Sequence, residues 1–423
     1  MQMEKREEIE FAALVGLDWS EEKHDVKLCD LTNGNRVESV KIGNTPEEIE
    51  EWVLSLRERF NGGYIGICLE QSKGMLINKL LMYDFVVLYP INPAVSAKYR
   101  EAFFPSKAKN DPVDAELLLE LVVKHRDRLT AWRPDSEQIR ALEILTENRR
   151  QLVEERKSCV QRLQSVLKKY YPQAIEMCGG DLSKEMACAF LMKYESIATL
   201  KKARPQTLRK FYYSYNCRSE EAILRRLEIH KNLKEVTDEA FIIKSYILAV
   251  KGLVKQIRSL NKSIEEHEKE IASIYDGLED AEVFNSFPGA GEVIAPRLLV
   301  AFGSQRDKYP TPASIQNYSG ISPVTEKSGK NEWIHHRWRC PTFLKQSFHE
   351  YAQHSVGKSV WATNYYELKK KEGKKHNTII RSLAYKWQRI MHKCWQDKTP
   401  YDEQKYLRHL QKKGSPYAPK IAA

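Results

Sequence analysis

The chain has 423 residues, too many for one small core and enough for two or three domains. Its 68 Lys and Arg against 57 Asp and Glu leave a formal net charge of +11, a balance that favours a polyanionic partner, nucleic acid above all. No apolar stretch approaches the roughly 20 residues of a membrane helix, Met1-Gln2-Met3-Glu4-Lys5-Arg6 lacks a signal-peptide pattern, and the eight cysteines are scattered without Cys-x-x-Cys or zinc-type His spacing, so they read as free thiols of a cytoplasmic protein.

A first domain is expected over residues 8–130. Ala12 to Asp18 reads as a buried strand and His24 to Leu31 as an alternating one. Asn33-Gly34-Asn35 signals a turn into a third strand, Arg36 to Ile42. Thr45-Pro46-Glu47-Glu48 combines an N-cap, a proline at the first helical position and an acid three residues on, which predicts a helix to about Phe60. Strand four is Tyr64 to Glu70, a helix covers Gly74 to Asp84, and strand five is Phe85 to Ile91. Three strands, helix, strand, helix, strand, helix is the order of the RNase H-like α/β fold, which sets the first strand beside the fourth.

That order would bring Asp18 and Glu70 together, each at the end of an apolar strand. Asp111 and Asp114 follow, three apart, in Asp111-Pro112-Val113-Asp114-Ala115-Glu116-Leu117. Taken alone, this is a strong helix start with Asp111 as N-cap. In the company of two strand-end acids it completes a set of four carboxylates able to hold divalent metal, Mg²⁺ or Mn²⁺, and paired Mg²⁺ ions about 4 Å apart cut phosphodiesters. Lys98, Arg100, Lys107 and Lys109 surround the helix start and are candidates to hold phosphates.

Residues 135–278 carry two seams. Leu142, Leu145, Leu152, Cys159, Leu163, Val166 and Tyr170 fall near a heptad pattern, and the run from Ile243 to Ile274 alternates steps of three and four with charged flanks. His267 at a seam position reads as a packed polar residue. The seams imply an intramolecular helical hairpin or a dimer. Between them, 172–240 read as short helices broken at Cys178-Gly179-Gly180-Asp181 and Ala203-Arg204-Pro205.

A mostly helical domain is expected over 280–395. Phe287-Pro288-Gly289-Ala290-Gly291 before the apolar run Val293 to Phe302 resembles the second half of a helix-hairpin-helix, in which Gly289 and Gly291 let backbone N–H groups approach a phosphate. Ser328 lies in a flexible, strongly basic loop with Lys327, Lys330, Arg337 and Arg339. A serine attacks a phosphodiester when cations stabilise its alkoxide and the phosphorane charge, although a Ser-Gly pair alone is usually a turn. From Lys369 to Lys393, nine Lys or Arg, with Lys374 and Lys375 among them, face one acid, Glu372. Trp361, Tyr365, Tyr366, Tyr385 and Trp387 are interleaved, a mixture suited to backbone contacts with occasional base stacking, though Ile379, Ile380, Leu383, Trp387 and Ile390 have the spacing of a helical core face. Residues 396–423 read as a polar, basic, partly disordered tail.

Together, Gly16-Leu17-Asp18-Trp19-Ser20, Leu69-Glu70, Ala108-Lys109-Asn110-Asp111-Pro112-Val113-Asp114-Ala115, Trp132-Arg133-Pro134, Pro288-Gly289-Ala290-Gly291, Tyr318-Ser319-Gly320-Ile321-Ser322-Pro323 and Ser328-Gly329 resemble the DEDD transposases of the IS110 insertion-sequence family, the bridge-RNA-guided recombinases. The resemblance implies a RuvC-like domain, a coiled coil and a C-terminal transposase domain. It implies Mg²⁺ on Asp18, Glu70, Asp111 and Asp114, with Ser328 attacking DNA to form a phosphoserine. It also implies a structured RNA pairing with donor and target DNA, and an assembly of dimers into a tetramer. Where family members commonly carry Gly-Asn ahead of a Leu-Arg helix, this chain has Cys340-Pro341-Thr342-Phe343-Leu344-Lys345, so Ser322 and Ser319 stand as fallback nucleophiles. Two competitors remain: a metal-dependent nuclease resembling Holliday-junction resolvases, using the four acids without a serine, and a non-catalytic nucleic-acid-binding coiled-coil protein.

Overall fold

A computed structural model describes residues 9–70, 74–103, 111–132, 134–329 and 331–418, with Asp111 and Pro112 described by their backbone alone. The chain divides into two compact units, Met1–Pro134 and Asp135–Ala423.

The first unit is a sheet with helices on both faces. Its elements in order are β1 (Phe11–Asp18), β2 (Lys23–Asp30), β3 (Arg36–Gly43), α1 (Pro46–Arg59), β4 (Tyr64–Leu69), α2 (Met75–Leu80), β5 (Val86–Pro90), α3 (Pro93–Phe103) and α4 (Asp111–His125). The strands lie in the order β3-β2-β1-β4-β5, so β1 pairs antiparallel with β2 and parallel with β4, as the sequence pattern anticipates. The helix expected over 74–84 is shorter, because its buried face (Leu76, Ile77, Leu80) gives way to Met82, which is exposed.

Strand alternation divides the residues between two cores. Ala13, Val15, Leu17, Ile65 and Ile67 pack with α1 and α2, while Leu14, Cys29 and Cys68 pack with Leu117, Leu118, Leu121 and Val122 of α4. Helix α4 lies directly on β1 at Gly16. A Cβ built there would stand 2.9 Å from Leu119 Cα, and closer still to the Ala115 carbonyl oxygen and the Leu119 nitrogen.

Helix α1 starts as its sequence specifies. Thr45 Oγ1 accepts from the Glu48 N–H at 3.2 Å and donates to Glu48 Oε2 at 2.8 Å, with Pro46 in the first turn. Thr45→Ala removes this cap, at a cost of about 1 kcal/mol. Thermal unfolding followed by circular dichroism should show the midpoint of the first unit falling by roughly 3 °C. An unmoved midpoint would deny the cap any role.

In the second unit, α5 (Glu137–Tyr170) and α11 (Ala240–Tyr275) form one antiparallel hairpin within the chain. Arg149 Nε donates to Glu268 at 2.9 Å, Arg156 Nη1 to Asn261 Oδ1 at 2.9 Å, and Cys159 faces Gln256. His267 bonds the carbonyl of Ser263, one turn back on its own helix, at 2.8 Å. At the far end of the hairpin sit five short helices, α6–α10 (Gln173–Met177, Glu185–Lys193, Ile197–Lys201, Pro205–Ser214, Glu220–Lys231), around Tyr171, Phe190 and Tyr212.

At its near end the hairpin roots Ile139, Leu142, Ile271 and Tyr275 in the core of the C-terminal helices. These are α12 (Ala281–Asn285), α13 (Gly291–Phe302), α14 (Pro312–Tyr318), α15 (Thr342–Ser355), α16 (Val360–Lys371), α17 (His376–Gln396) and α18 (Glu403–Lys412). Two expectations are corrected here. The tail is folded as far as it is described: α18 buries Leu407 and Leu410, and Tyr401 donates to Glu403 and stacks on Phe287. Trp361 and Tyr365 are core residues rather than stacking platforms, because the apolar face of α17 seats on α15 and α16; Trp387 is core as its spacing anticipates, and Tyr385 of that stretch lies at the surface. Among the described residues no helix is long and apolar enough to cross a membrane.

Candidate active site

Strand register decides which acids of the first unit share a face. Leu17 pairs with Leu69 across the parallel β1–β4 ladder, so Asp18 and Glu70 leave the sheet side by side at adjacent strand ends. Asp18 falls on the same face as Leu14 and Gly16, the face that α4 covers. Asp114, 8% exposed, sits one residue before Ala115, whose carbonyl presses on Gly16. The fold therefore gathers Asp18, Glu70 and Asp114 at one edge of the β1–α4 contact. Asp111 begins α4, and its side chain lies outside the described residues.

Each gathered acid has company. Arg100 of α3 forms an ion pair with Asp114, and the Ser96 hydroxyl of the same helix donates to Glu70 Oε1. Ser96 is almost fully buried, so α3 serves this edge with both a cation and a donor. Sequence reading placed Arg100 near the acids but passed over Ser96, a small polar residue with no pattern to mark it. It also passed over Asp25, which pairs in register with Asp18 across β1–β2, is buried, and is bridged by Lys41 at 3.2 Å. Its signal was a charge inside an otherwise alternating strand.

Among the described residues, no three His, Cys, Asp or Glu side chains stand close enough to hold a metal ion. The donor chemistry nevertheless suits a hard cation. The acids are carboxylates, and the thiols on that face stay protonated: Cys68 is pushed up to about 12 by burial and by Glu70, and Cys29 is raised by burial and by Asp30.

In the second unit Ser328 ends a strand instead of lying in a loop. β6 (Val324–Ser328) and β7 (Asn331–His335) form a two-stranded hairpin in which Ser328 faces Asn331 and Gly329 takes φ +60° in the turn. Both strands lack an apolar alternation, so no strand signal was present to read. Ser328 is exposed, whereas Ser319 is fully buried and accepts from Gln388 Nε2 at 2.8 Å. Ser322 is half-buried just before β6. Lys327 pairs with Glu332 at 3.1 Å, and Arg337 and Arg339 follow the hairpin. Arg381 stands against His336 and, with some burial, holds that imidazole below its usual pKa.

Gly289 and Gly291 open α13 with φ +84° and +57°. At Gly289 a Cβ would stand 2.7 Å from the His354 carbonyl oxygen, so close packing on α15 alone requires glycine there. Both glycines line a cavity of about 670 Å³ with Arg149, Arg150 and Arg297 and the acids Glu154, Glu292 and Glu350. Lys374 and Lys375 are exposed where α16 turns into α17. Lys107, Lys109 and Lys330 lie outside the described residues.

Two family models match this chain. One, described as a transposase of the DEDD type, covers residues 15–172, the carboxylate-bearing unit from within β1 and the whole of α5. The other, described as a transposase of the IS116/IS110/IS902 family, covers residues 281–367, from α12 through the hairpin into α16. The IS117 mini-circle protein of Streptomyces coelicolor is 25% identical over 92% of this chain and 95% of its own length. The IS116 insertion-element protein of Streptomyces clavuligerus is 22% identical, over 88% of this chain and 91% of its own length. The IS900 protein of Mycobacterium paratuberculosis is 21% identical, over 87% and 92%. Both matched models describe transposases, one over the α/β unit and α5 and the other over the helical unit. The chain belongs to the IS110 family of insertion-sequence transposases.

Proposed function

We propose that this transposase cuts and rejoins DNA strands through a serine–DNA intermediate, assisted by a divalent cation and directed by a structured RNA of its element. The observation that supports the proposal is the strand register and helix contact that set Asp18, Glu70 and Asp114 at neighbouring ends of β1, β4 and α4. Asp18, Glu70, Asp111 and Asp114 would hold Mg²⁺, which polarises a phosphodiester and favours loss of a hydroxyl proton. Arg100 balances the charge of Asp114 and keeps the carboxylates from repelling one another. Ser96 orients Glu70.

Ser328 is the nucleophile of the proposal, supported by its exposure beside Lys327 and by its place within the second family match. As its Oγ–P bond forms, one backbone P–O bond breaks; the hydroxyl loses a proton and the departing deoxyribose oxygen gains one. The new phosphodiester conserves the energy of the old, so rejoining needs no nucleotide cofactor. Guidance by RNA, and assembly as dimers and tetramers, rest on the family resemblance. The working division of the chain is an RNase H-like domain (8–130), a coiled coil with its helical insert (135–278), a transposase domain (280–395) and a basic tail.

The test uses purified protein, the RNA that accompanies it, and DNA carrying the element's ends, quenched in detergent. A covalent protein–DNA adduct that needs a divalent cation is the expected result. Cleavage without an adduct would leave a junction-type nuclease as the better account.

A further inference from the structure

The β6–β7 hairpin buries nothing beneath it. Of its ten strand residues only Val324 is even half-buried, yet Trp333 is 48% exposed, Ile334 69%, and Trp338, three residues past β7, 84%. An isolated hairpin is marginally stable, and large aromatic residues left in water on such an element mark a binding surface.

Register sorts these residues by face. Ser328 pairs with Asn331, Glu326 with Trp333 and Val324 with His335, so Trp333 shares the face of Ser328 one pair further along, while Ile334 lies on the opposite face opposite Thr325. Within the strands the charge is mixed, and the uncompensated positive charge lies at the foot of the hairpin. Glu326 and Glu332 are each paired within the hairpin, with His335 at 3.6 Å and Lys327 at 3.1 Å. Arg337, Arg339 and Arg381 add positive charge at its foot.

We infer that Trp333 stacks on an unpaired DNA base beside the phosphate presented to Ser328, with Trp338 and its flanking arginines extending that platform along the strand. This rests on the reading of Ser328 above and deepens it: the bound species is a single strand, held by ring stacking and backbone charge. Stacking is indifferent to which base is present, which suits a protein whose sequence choice is delegated to RNA pairing. A strand whose base is held flat on Trp333 has its adjoining phosphate fixed relative to Ser328, so Trp333 is a substrate-positioning residue.

The full-length protein is titrated with a short labelled oligodeoxythymidylate and with a duplex of the same length. Trp333→Ala weakens single-strand binding about tenfold or more, the loss of one base–aromatic stack, and leaves duplex binding and the melting midpoint unchanged. Trp333→Tyr restores most of the affinity, and Ile334→Ala changes nothing. Ser328→Ala loses the covalent adduct yet binds the single strand as before; if it still forms the adduct, the serine assignment fails while the stacking result stands on its own. Equal single-strand affinity in Trp333→Ala overturns the inference. So does loss of both DNA forms together, or unchanged DNA binding with altered self-association, which would make this face a contact between copies.

Discussion

Asp18→Asn and Ser328→Ala are expected to abolish adduct formation for different reasons, and the two variants can be told apart. Asparagine keeps the shape of Asp18 at the end of β1 but removes its charge. The carboxylate edge then loses one anionic oxygen donor, and with it about a thousandfold or more in rate, since a bound cation contributes several kcal/mol to such a reaction. The fold should survive, because β1 is held by its ladders to β2 and β4 and by the cores on its two faces. Raising the Mg²⁺ or Mn²⁺ concentration should recover part of the Asp18→Asn activity, because the defect is weakened binding. No cation concentration should recover Ser328→Ala, because the attacking oxygen is gone. Undiminished adduct in Ser328→Ala would remove the serine from the mechanism and turn attention to Ser322. Full activity in Asp18→Asn would remove the carboxylate edge.

The first unit was legible because its rules are local. Strand alternation, the Asn33-Gly34-Asn35 turn and the Thr45-Pro46 cap each act over a few residues, and the strand order followed from the order of elements. The candidate edge was legible for the same reason: Asp18 and Glu70 end apolar strands. What could not be read were partners contributed by a neighbouring helix, Arg100 to Asp114 and Ser96 to Glu70, which depend on how α3 lies against α4 and the β4 end. The β6–β7 hairpin escaped because a strand with no core leaves no hydrophobic period. The aromatic-rich stretch around α17 misled in the other direction. Its composition suits nucleic acid, but Trp361 and Tyr365 are fixed by packing, as is Trp387, whose core spacing was legible. The coiled-coil seams carried their partner choice in pairs such as Arg149–Glu268, 119 residues apart, which no heptad count reveals.

Gly16→Ala should cost more stability than any surface change in the first unit, although it adds one methyl group. The new carbon would meet the Ala115 carbonyl oxygen and the Leu119 nitrogen, with Leu119 Cα at 2.9 Å. These are backbone atoms within a helix, so no rotamer change relieves the clash, and α4 must move off β1. That movement loosens Leu14, Cys68, Leu117, Leu118 and Leu121 together. We expect a loss of about 3 kcal/mol, seen as a fall of roughly 10 °C in the melting midpoint of the first unit. Activity should fail before the fold does, because Asp114 precedes the residue that is pushed away and is carried off the carboxylate edge with it. Adduct formation measured well below the midpoint separates the two effects. Gly252→Ala is the contrast: in α11, exposed and with nothing near its Cβ, the same methyl should stabilise by up to about 1 kcal/mol from helix propensity alone. If Gly16→Ala behaves like Gly252→Ala, then α4 does not rest on β1, and the argument that brings Asp114 to Asp18 and Glu70 falls with it.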